Sequence, residues 1–321
     1  MTAKAGQARS RVPRANPVLA WLLQGDPAIR WQVLRDLLDR AAPAVRGEQS
    51  RVASSGWGSR LLALQAGDGR WGQGLYNPKW TSTTYTLLLL RALGLPAVSS
   101  QAKAGTMVLL DAGLYRDNGI NFWLPRRKCS ETCVTGIVLA IASYFAAGDP
   151  RIERLVSHML EQQMPDGGWN CRRPRGATHS SLNTTILALE ALLEYEAAGG
   201  SQSNRTRQAR ERGHEFLFRH RMFRSHRTGA IIDARMTRFS FPPQWHYDVL
   251  RGLDYLQAAR ARRDSRLEES IELVRTRRTA EGCWLLQNVH RGKYHFVLEE
   301  PSQPSRWNTL RALRVLRWWE G

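Results

Sequence analysis

One helical phrase returns along the chain, and this internal repeat constrains the fold more than any other feature. The phrase is a tryptophan followed, after a polar stretch, by Leu-Arg-x-Leu. It occurs as Trp31 with 34–37, Trp80 with 90–93, Trp245 with 250–253 and Trp307 with 310–313. Two degenerate copies, at 130–144 and 179–195, lie between the second and the third. Copies about 50 to 60 residues apart leave room for two helices and two loops each.

A second phrase, a turn that ends in tryptophan, lies between the copies. Residues 65–71 read QAGDGRW, residues 163–169 read QMPDGGW and residues 281–284 read EGCW. A looser version joins Asp117-Asn118-Gly119 to Trp123. Asp-Gly pairs form turns because glycine adopts a positive φ at no steric cost. We therefore expect each phrase to end one helix and lead into the next.

The hydrophobic pattern distinguishes two kinds of helix. Residues 85–95 (YTLLLLRALGL) are apolar on several faces, whereas residues 152–163 (IERLVSHMLEQQ) are amphipathic. Alternating inner and outer helices form an open solenoid or a closed ring, and a solenoid needs polar capping repeats. The chain instead ends on an aromatic repeat, which favours closure. We predict an all-α fold, an (α/α)6 toroid of about six inner and six outer helices, as a single domain over residues 17–321.

The chain begins with a basic, polar stretch. Residues 1–16 contain no apolar core of a secretory signal, so they are predicted to be a disordered basic tail. No run of 18 apolar residues is present, so no membrane span is expected. These features predict a cytoplasmic protein.

The net charge is strongly positive. It is +19, from 47 Lys and Arg against 28 Asp and Glu. This excess favours anionic partners such as nucleic acid, acidic lipid or a phosphorylated substrate. A general coding preference for arginine explains it equally well, and no nucleic-acid-binding signature accompanies it.

The turn phrases resemble the QW repeats of squalene–hopene cyclases. The layout from about Pro27 to Trp319 is similar to the α/α toroid of terpenoid cyclases and protein prenyltransferase β subunits. The resemblance implies a central cavity as the active site. The Asp-x-Asp-Asp acid motif of class II cyclases and the Asp-Asp-x-x-Asp motif of class I enzymes are both absent. The chain is also about half the length of a two-domain cyclase, so squalene cyclisation is disfavoured.

Protein prenyltransferases hold zinc with Asp, Cys and His near the starts of inner helices. Residues 245–248 (WHYD) resemble the Tyr-His-Thr phrase that carries the histidine ligand in that family. The family's Asp-x-Cys pair has no counterpart in residues 178–181 (THSS). By resemblance alone, only His246 carries over as a ligand.

The inner helices of a toroid run parallel, so their N-termini gather at one mouth with a positive potential. We expect an amphipathic or anionic small molecule or peptide to bind there. The cationic and aromatic residues predicted to bind it are Lys79, Trp80, Arg173, Arg175, Trp245, Tyr247, Arg306 and Trp307.

Sulfur and imidazole ligands are predicted to meet at the same mouth. Cys133, Cys171, His179 and His246 form a candidate zinc set. Glu131 and Asp248 are candidate acid–base groups, and Cys133 or Cys171 is a candidate catalytic nucleophile. The alternative is that these cysteines are buried apolar residues and the histidines only cap helices.

Three functions fit these features. The first is a prenyltransferase-like or terpenoid-cyclase-like enzyme, with zinc as its candidate cofactor, acting on an amphipathic anionic substrate in the central cavity. The second is a non-catalytic toroid that binds a lipid, a peptide or a protein. The third is a metal-free hydrolase or lyase using Glu131 and Asp248. Because one fold supports many chemistries, only the residues of the functional site can distinguish these three functions.

Overall fold

The computed structural model describes residues 16–321, and these residues are mostly helical. The predicted tail lies outside the described residues except for Asn16, whose side chain accepts hydrogen bonds from the first turn of the first helix. Two short strands, β1 (Trp284–Leu285) and β2 (Pro304–Ser305), pair antiparallel. The α-helices are α1 (Pro17–Leu23), α2 (Pro27–Asp36), α3 (Ala42–Ser50), α4 (Gly56–Leu62), α5 (Thr83–Leu93), α6 (Ser100–Gly113), α7 (Thr132–Phe145), α8 (Arg151–Glu161), α9 (Leu182–Ala197), α10 (Ser203–Arg219), α11 (Val249–Ala258), α12 (Glu268–Thr276) and α13 (Arg306–Glu320).

The helices that carry the repeated phrase contact one another in chain order. The helix α5 packs on α7, α7 on α9, α9 on α11 and α11 on α13. The indole Nε1 of Trp31 on α2 donates to the carbonyl of Leu93, 2.9 Å away at the end of α5. The last helix returns to the first of the series, since Arg314 on α13 pairs with Asp36 on α2 at 3.1 Å.

The helices α7 and α9 form the most apolar part of the core. Almost every residue of α7 is buried, as its sequence TCVTGIVLAIASYF predicts. Gly136 permits the close approach of the two helices, because a Cβ there would lie 3.1 Å from the carbonyl oxygen of Leu187 on α9. Among the described residues, no helix combines the length and the apolar character needed to cross a membrane.

The three turns that contain the second phrase each make an equivalent set of hydrogen bonds. The indoles of Trp71, Trp169 and Trp284 are fully buried. Each Nε1 donates over 2.7 Å to the carbonyl ten residues earlier in the chain, those of Leu61, Met159 and Val274. Each tryptophan amide donates to a threonine hydroxyl of the following inner helix, those of Thr83, Thr185 and Thr309. The turn therefore links an outer helix to the inner helix after it.

The looser copy of the turn has a different register from the one its sequence predicts. Ile120, and not Trp123, occupies the tryptophan position, because the amide of Ile120 donates to the hydroxyl of Thr135 on α7 at 2.9 Å. Trp123 packs edge-on against Tyr76, with 5.1 Å between ring centres. The prediction that Trp123 completes this turn was wrong, since the buried position accepts any large apolar side chain.

Candidate functional site

Two cavities lie between the inner helices, one toward each end. The upper cavity, of about 590 Å³, is lined by residues that precede or open inner helices. They include Lys79, Trp80, Asn183, residues 245–248 and residues 288–291. The lower cavity, of about 490 Å³, is lined by later residues of the inner helices, including Arg91, Glu194, Asp254, Tyr255, Arg311 and Arg314. The helices α5, α9 and α11 thus run in the same direction, with their N-termini at the upper cavity.

The upper cavity contains part of the predicted binding set. Lys79 and Trp80 reach it from the loop before α5, and Trp245 and Tyr247 from the segment before α11. Trp80 contacts Tyr85 edge-on, with 4.7 Å between ring centres. The loops that end in these residues therefore form an aromatic wall.

Lys79 is a cation surrounded by aromatic rings. Its Nζ lies 5.5 Å from the ring centres of Tyr76 and Trp80 and 5.3 Å from that of Trp245. Burial lowers the pKa of Lys79, and the nearby Cys133 sulfur opposes that change. Among residues 16–321, no carboxylate pairs with this ammonium group. Lys79 is therefore available to bind an anion inside the cavity.

Two histidines stack in the same cavity. The rings of His246 and His290 lie 3.7 Å apart with 5° between their planes, and Trp245 covers the other face of His246. Burial lowers the pKa of His246 to about 3 and that of His290 to about 4, so both rings are neutral at pH 7. Nδ1 of His246, Nε2 of His290 and Nε1 of Trp245 are buried and have no hydrogen-bond partner among residues 16–321. Because buried polar atoms are almost always paired, these nitrogens are available to hydrogen-bond a polar molecule in the cavity.

Asp248, a predicted acid–base group, is used as a helix cap. Its carboxylate accepts from the Ser240 hydroxyl at 2.7 Å and from the Arg251 amide at 2.8 Å. The Ser240 amide donates to it as well, at 3.2 Å. The side chain is buried and its oxygens are occupied, so the structure supports a positioning role for Asp248.

Glu131, the other predicted acid–base group, lies at the start of α7. Its carboxylate pairs with Arg127 and, at 3.4 Å, with Arg175. Arg175 is exposed and outside the lining of the upper cavity. These two residues therefore join the loop before α9 to α7.

Cys133 and Cys171 lie side by side. Each sulfur is close to the other, which lowers the pKa of Cys171 and raises that of Cys133. Arg172 and Arg175 lower the pKa of Cys171 further, and burial raises that of Cys133. Of the two cysteines that the sequence offers as a nucleophile, Cys171 has the lower pKa.

The four predicted zinc ligands do not meet. His179 is exposed, and its carbonyl accepts from the Asn170 side chain. His246 stacks on His290, while Cys133 and Cys171 pair with each other. Within the described residues, no group of three or more His, Cys, Asp or Glu has the geometry to hold a metal ion. The residues do not fit a zinc centre, so no chemical step below runs through zinc.

Four predicted binding residues lie away from the upper cavity, namely Arg175, Arg173, Arg306 and Trp307. Arg173 is exposed and donates to the carbonyl of Glu161. Arg306 stacks over Trp21, with its guanidinium carbon 4.5 Å from the ring centre. Trp307 lines the lower cavity and stacks on Phe241 at 4.1 Å. In the sequence, both these residues and those that line the upper cavity were chosen because they lie near predicted helix starts. This criterion therefore could not distinguish the two groups.

The arginines of the Leu-Arg-x-Leu phrase gather at the lower cavity, which the sequence did not reveal. Arg35, Arg91, Arg251 and Arg311 all line it. Three of them pair with a carboxylate of another helix: Arg91 with Glu194 at 2.5 Å, Arg251 with Glu190 at 2.6 Å and Arg311 with Asp254 at 3.3 Å. Arg35 pairs with its neighbour Asp36 at 2.5 Å. The acidic residues of the apolar helix α9 were the sequence signal that could have predicted these ion pairs, because a buried arginine requires an acidic partner.

One segment separates the two cavities. Residues 241–244 line the lower cavity, and residues 245–248 line the upper one. The Arg251 guanidinium donates to the carbonyls of Gln244 at 2.9 Å and His246 at 2.6 Å. Arg311 donates to the carbonyl of Ser240 at 3.0 Å. These arginines hold the segment as a wall between the cavities.

Comparison with known proteins adds distant structural likenesses. No family model and no curated protein matches the sequence. A protein from Actinoplanes is similar in structure, with 17% identity, a TM-score of 0.46, and coverage of 92% of this chain and 91% of that one. A variant of the type II terpene cyclase MstE from Scytonema, in complex with merosterolic acid A as product, has 15% identity, a TM-score of 0.46, and coverage of 94% and 95%. Another MstE variant, bound to geranylgeranyl dihydroxybenzoate as substrate, has 16% identity and the same TM-score and coverage. Likeness at this level carries no argument about activity.

Proposed function

We propose that the protein is a terpenoid-cyclase-like or prenyltransferase-like enzyme whose upper cavity binds an amphipathic anionic substrate such as a prenyl diphosphate. The observation that carries this proposal is the position of Lys79, a cation without a carboxylate partner among residues 16–321 and surrounded by aromatic rings. The unpaired nitrogens of His246, His290 and Trp245 supply further polar contacts. The anionic end binds to this group, and the apolar chain packs on Trp80 and Trp245.

The proposed architecture is the closed (α/α)6 toroid, as one domain over residues 17–321. Its support is the chain of contacts between successive inner helices and the return of α13 to α2. An experimental structure tests the ring, and a gap between α13 and α2 would contradict it.

Each group in the cavity has a distinct physical contribution. An ammonium group in a partly desolvated site binds a diphosphate more strongly than it does in water. The aromatic faces of Trp80 and Trp245 stabilise positive charge that develops on a prenyl chain. The wall of residues 241–248 closes the cavity toward the lower side and keeps reactive carbon away from solvent.

Calorimetric titration tests the binding step. Farnesyl diphosphate should bind with saturation. Farnesol, which lacks the diphosphate, and inorganic diphosphate, which lacks the prenyl chain, should bind much more weakly. Equal binding of farnesol, or no binding of farnesyl diphosphate, would contradict an anion site at Lys79. Mass spectrometry of the incubated mixture then detects turnover, and saturable binding without any product supports the alternative of a non-catalytic toroid.

Zinc remains a prediction of the sequence. Metal analysis of protein purified without chelator tests it. About one equivalent of zinc that is lost in His246→Ala would support it, and less than about a tenth of an equivalent would overturn it.

A further inference from the structure

We propose that Cys133 and Cys171 form a redox-active dithiol, which low-molecular-weight disulfides convert to an intramolecular disulfide. Cys171 is the attacking sulfur and Cys133 the resolving one. The proposal is independent of the substrate of the upper cavity. It rests on how α7, α9 and the loop before α9 bring two distant cysteines together.

The register of α7 against α9 places the two sulfurs. Gly136 on α7 lies against the backbone of Leu187 on α9. One helical turn earlier on each helix, Cys133 stands opposite Thr184. The Thr184 hydroxyl accepts a hydrogen bond from the Cys171 amide at 3.3 Å. The loop residue Cys171 is thereby held beside the first turn of α7, which contains Cys133.

A second link fixes the same loop. Arg175, four residues after Cys171, pairs with Glu131, two residues before Cys133, at 3.4 Å. The short 3₁₀ helix Arg173–Arg175 connects this link to the cysteine. With Cys171 hydrogen-bonded to α9 and Arg175 paired with the start of α7, the loop is held at both points beside Cys133.

The surroundings favour attack by Cys171. Both cysteines are partly buried, and Cys171 is the less enclosed of the two, so Cys171 is the one that a disulfide from solvent meets first. Arg172 and Arg175 place positive charge beside Cys171 and stabilise its thiolate. Cys129 is also half-buried, but the contacts of the described residues give it no thiol neighbour. Cys283 is buried beside Thr309 and serves as a second comparison.

The exchange proceeds in two balanced steps. The Cys171 thiolate attacks one sulfur of oxidised glutathione, forming a mixed disulfide and releasing one glutathione thiolate. Cys133 then loses its proton and attacks the Cys171 sulfur, which releases the second glutathione. Two protein thiols are oxidised, and one glutathione disulfide is reduced to two thiols.

The experiment uses the full chain, reduced, freed of reductant and kept in chelator so that metal occupies neither thiol. The protein is treated with oxidised glutathione under native conditions, quenched with acid and alkylated with N-ethylmaleimide. Intact mass and peptide mapping should show the loss of two alkylated thiols and a cross-link between Cys133 and Cys171. The variant Cys129→Ser/Cys283→Ser should behave in the same way, because neither thiol takes part.

Single variants separate the two roles. Cys133→Ser should retain glutathione on Cys171 as a stable mixed disulfide, and Cys171→Ser should acquire much less. Circular dichroism confirms that both variants are folded. Cross-links to Cys129 or Cys283 would overturn the proposal, as would wild-type protein that keeps glutathione without linking residues 133 and 171.

Discussion

The imidazole rings of His246 and His290 lie parallel, 3.7 Å apart, although 44 residues separate them in the chain. Both pKa values are lowered, chiefly by burial, so the pair is uncharged at neutral pH. Neutral rings offer hydrogen bonds without repelling each other, which permits the stack. The positive charge of the upper cavity therefore comes from Lys79 and the arginines at its rim.

Replacing His246 by phenylalanine keeps the stacked ring and removes the unpaired nitrogen. Farnesyl diphosphate should bind about two- to tenfold more weakly, the equivalent of one net hydrogen bond. Calorimetric titration measures the change. Unaltered affinity, with the fold intact by circular dichroism, would show that the ligand does not contact His246.

The substitution Lys79→Met removes the charge and keeps most of the side-chain volume. Loss of a charge-assisted hydrogen bond should weaken farnesyl diphosphate binding by about one to two orders of magnitude. The matched control is Lys103→Met, because Lys103 is an exposed residue of α6. The control should bind as the wild type does, and equal loss in both variants would indicate a non-specific charge effect.

Arg251 pairs with Glu190 and also holds the carbonyls of Gln244 and His246. Arg251→Met should lower the free energy of unfolding by about 3–5 kcal/mol, because it leaves a carboxylate and two carbonyls without their partner. The double variant Arg251→Met/Glu190→Met should recover part of this loss. Urea denaturation measures the wild type, both single variants and the double variant, and a double variant as unstable as the sum of Arg251→Met and Glu190→Met would argue against coupling.

The turn that contains Trp169 depends on its indole hydrogen bond. Trp169→Phe should cost about 1–3 kcal/mol of unfolding free energy, because the buried carbonyl of Met159 loses its donor. Trp57→Phe is the comparison, since the half-buried Trp57 contacts Trp307 only by stacking at 6.4 Å. A smaller loss in Trp169→Phe than in Trp57→Phe would contradict the role assigned to the turn.

Stability should fall in mild acid because of histidines that are neutral in the folded state. Burial, and then Arg210, lower the pKa of His214 from 6.5 to about 4. The unfolded chain therefore binds the proton first, and the stabilising effect is complete above pH 6.5 and is lost as the pH falls toward 4. His214→Gln should reduce the slope of unfolding free energy against pH in this window. An unchanged slope would mean that His214 does not contribute to it.

Local sequence patterns predicted the helical class and the positions of the inner helices, because apolar periodicity and Asp-Gly turns act over short distances. The helix α7 and the Trp169 turn are examples. The same sequence patterns also placed Lys79 and Trp245 in one cavity, since both residues precede inner helices. Contacts between distant segments escaped this reasoning. His290 reaches the upper cavity from a loop far along the chain, where no local pattern marks its partner His246.

The ion pairs of the inner helices were missed for a related reason. Arg251 and Arg311 belong to a phrase whose leucines dominate the pattern, and their partners lie on other helices. The candidate zinc set was grouped by topology alone. Topology placed His179 at a helix start, but its side chain is exposed and separate from the cysteine pair.

The wall of residues 241–248 also determines the order of events at the site. Because Arg251 and Arg311 hold the wall in place, a ligand of the upper cavity cannot pass on into the lower cavity. If the protein is the enzyme proposed above, substrate arrives and product departs on the upper side of the wall. Excess substrate should then slow product release, and the rate should decline at high concentration instead of reaching a plateau.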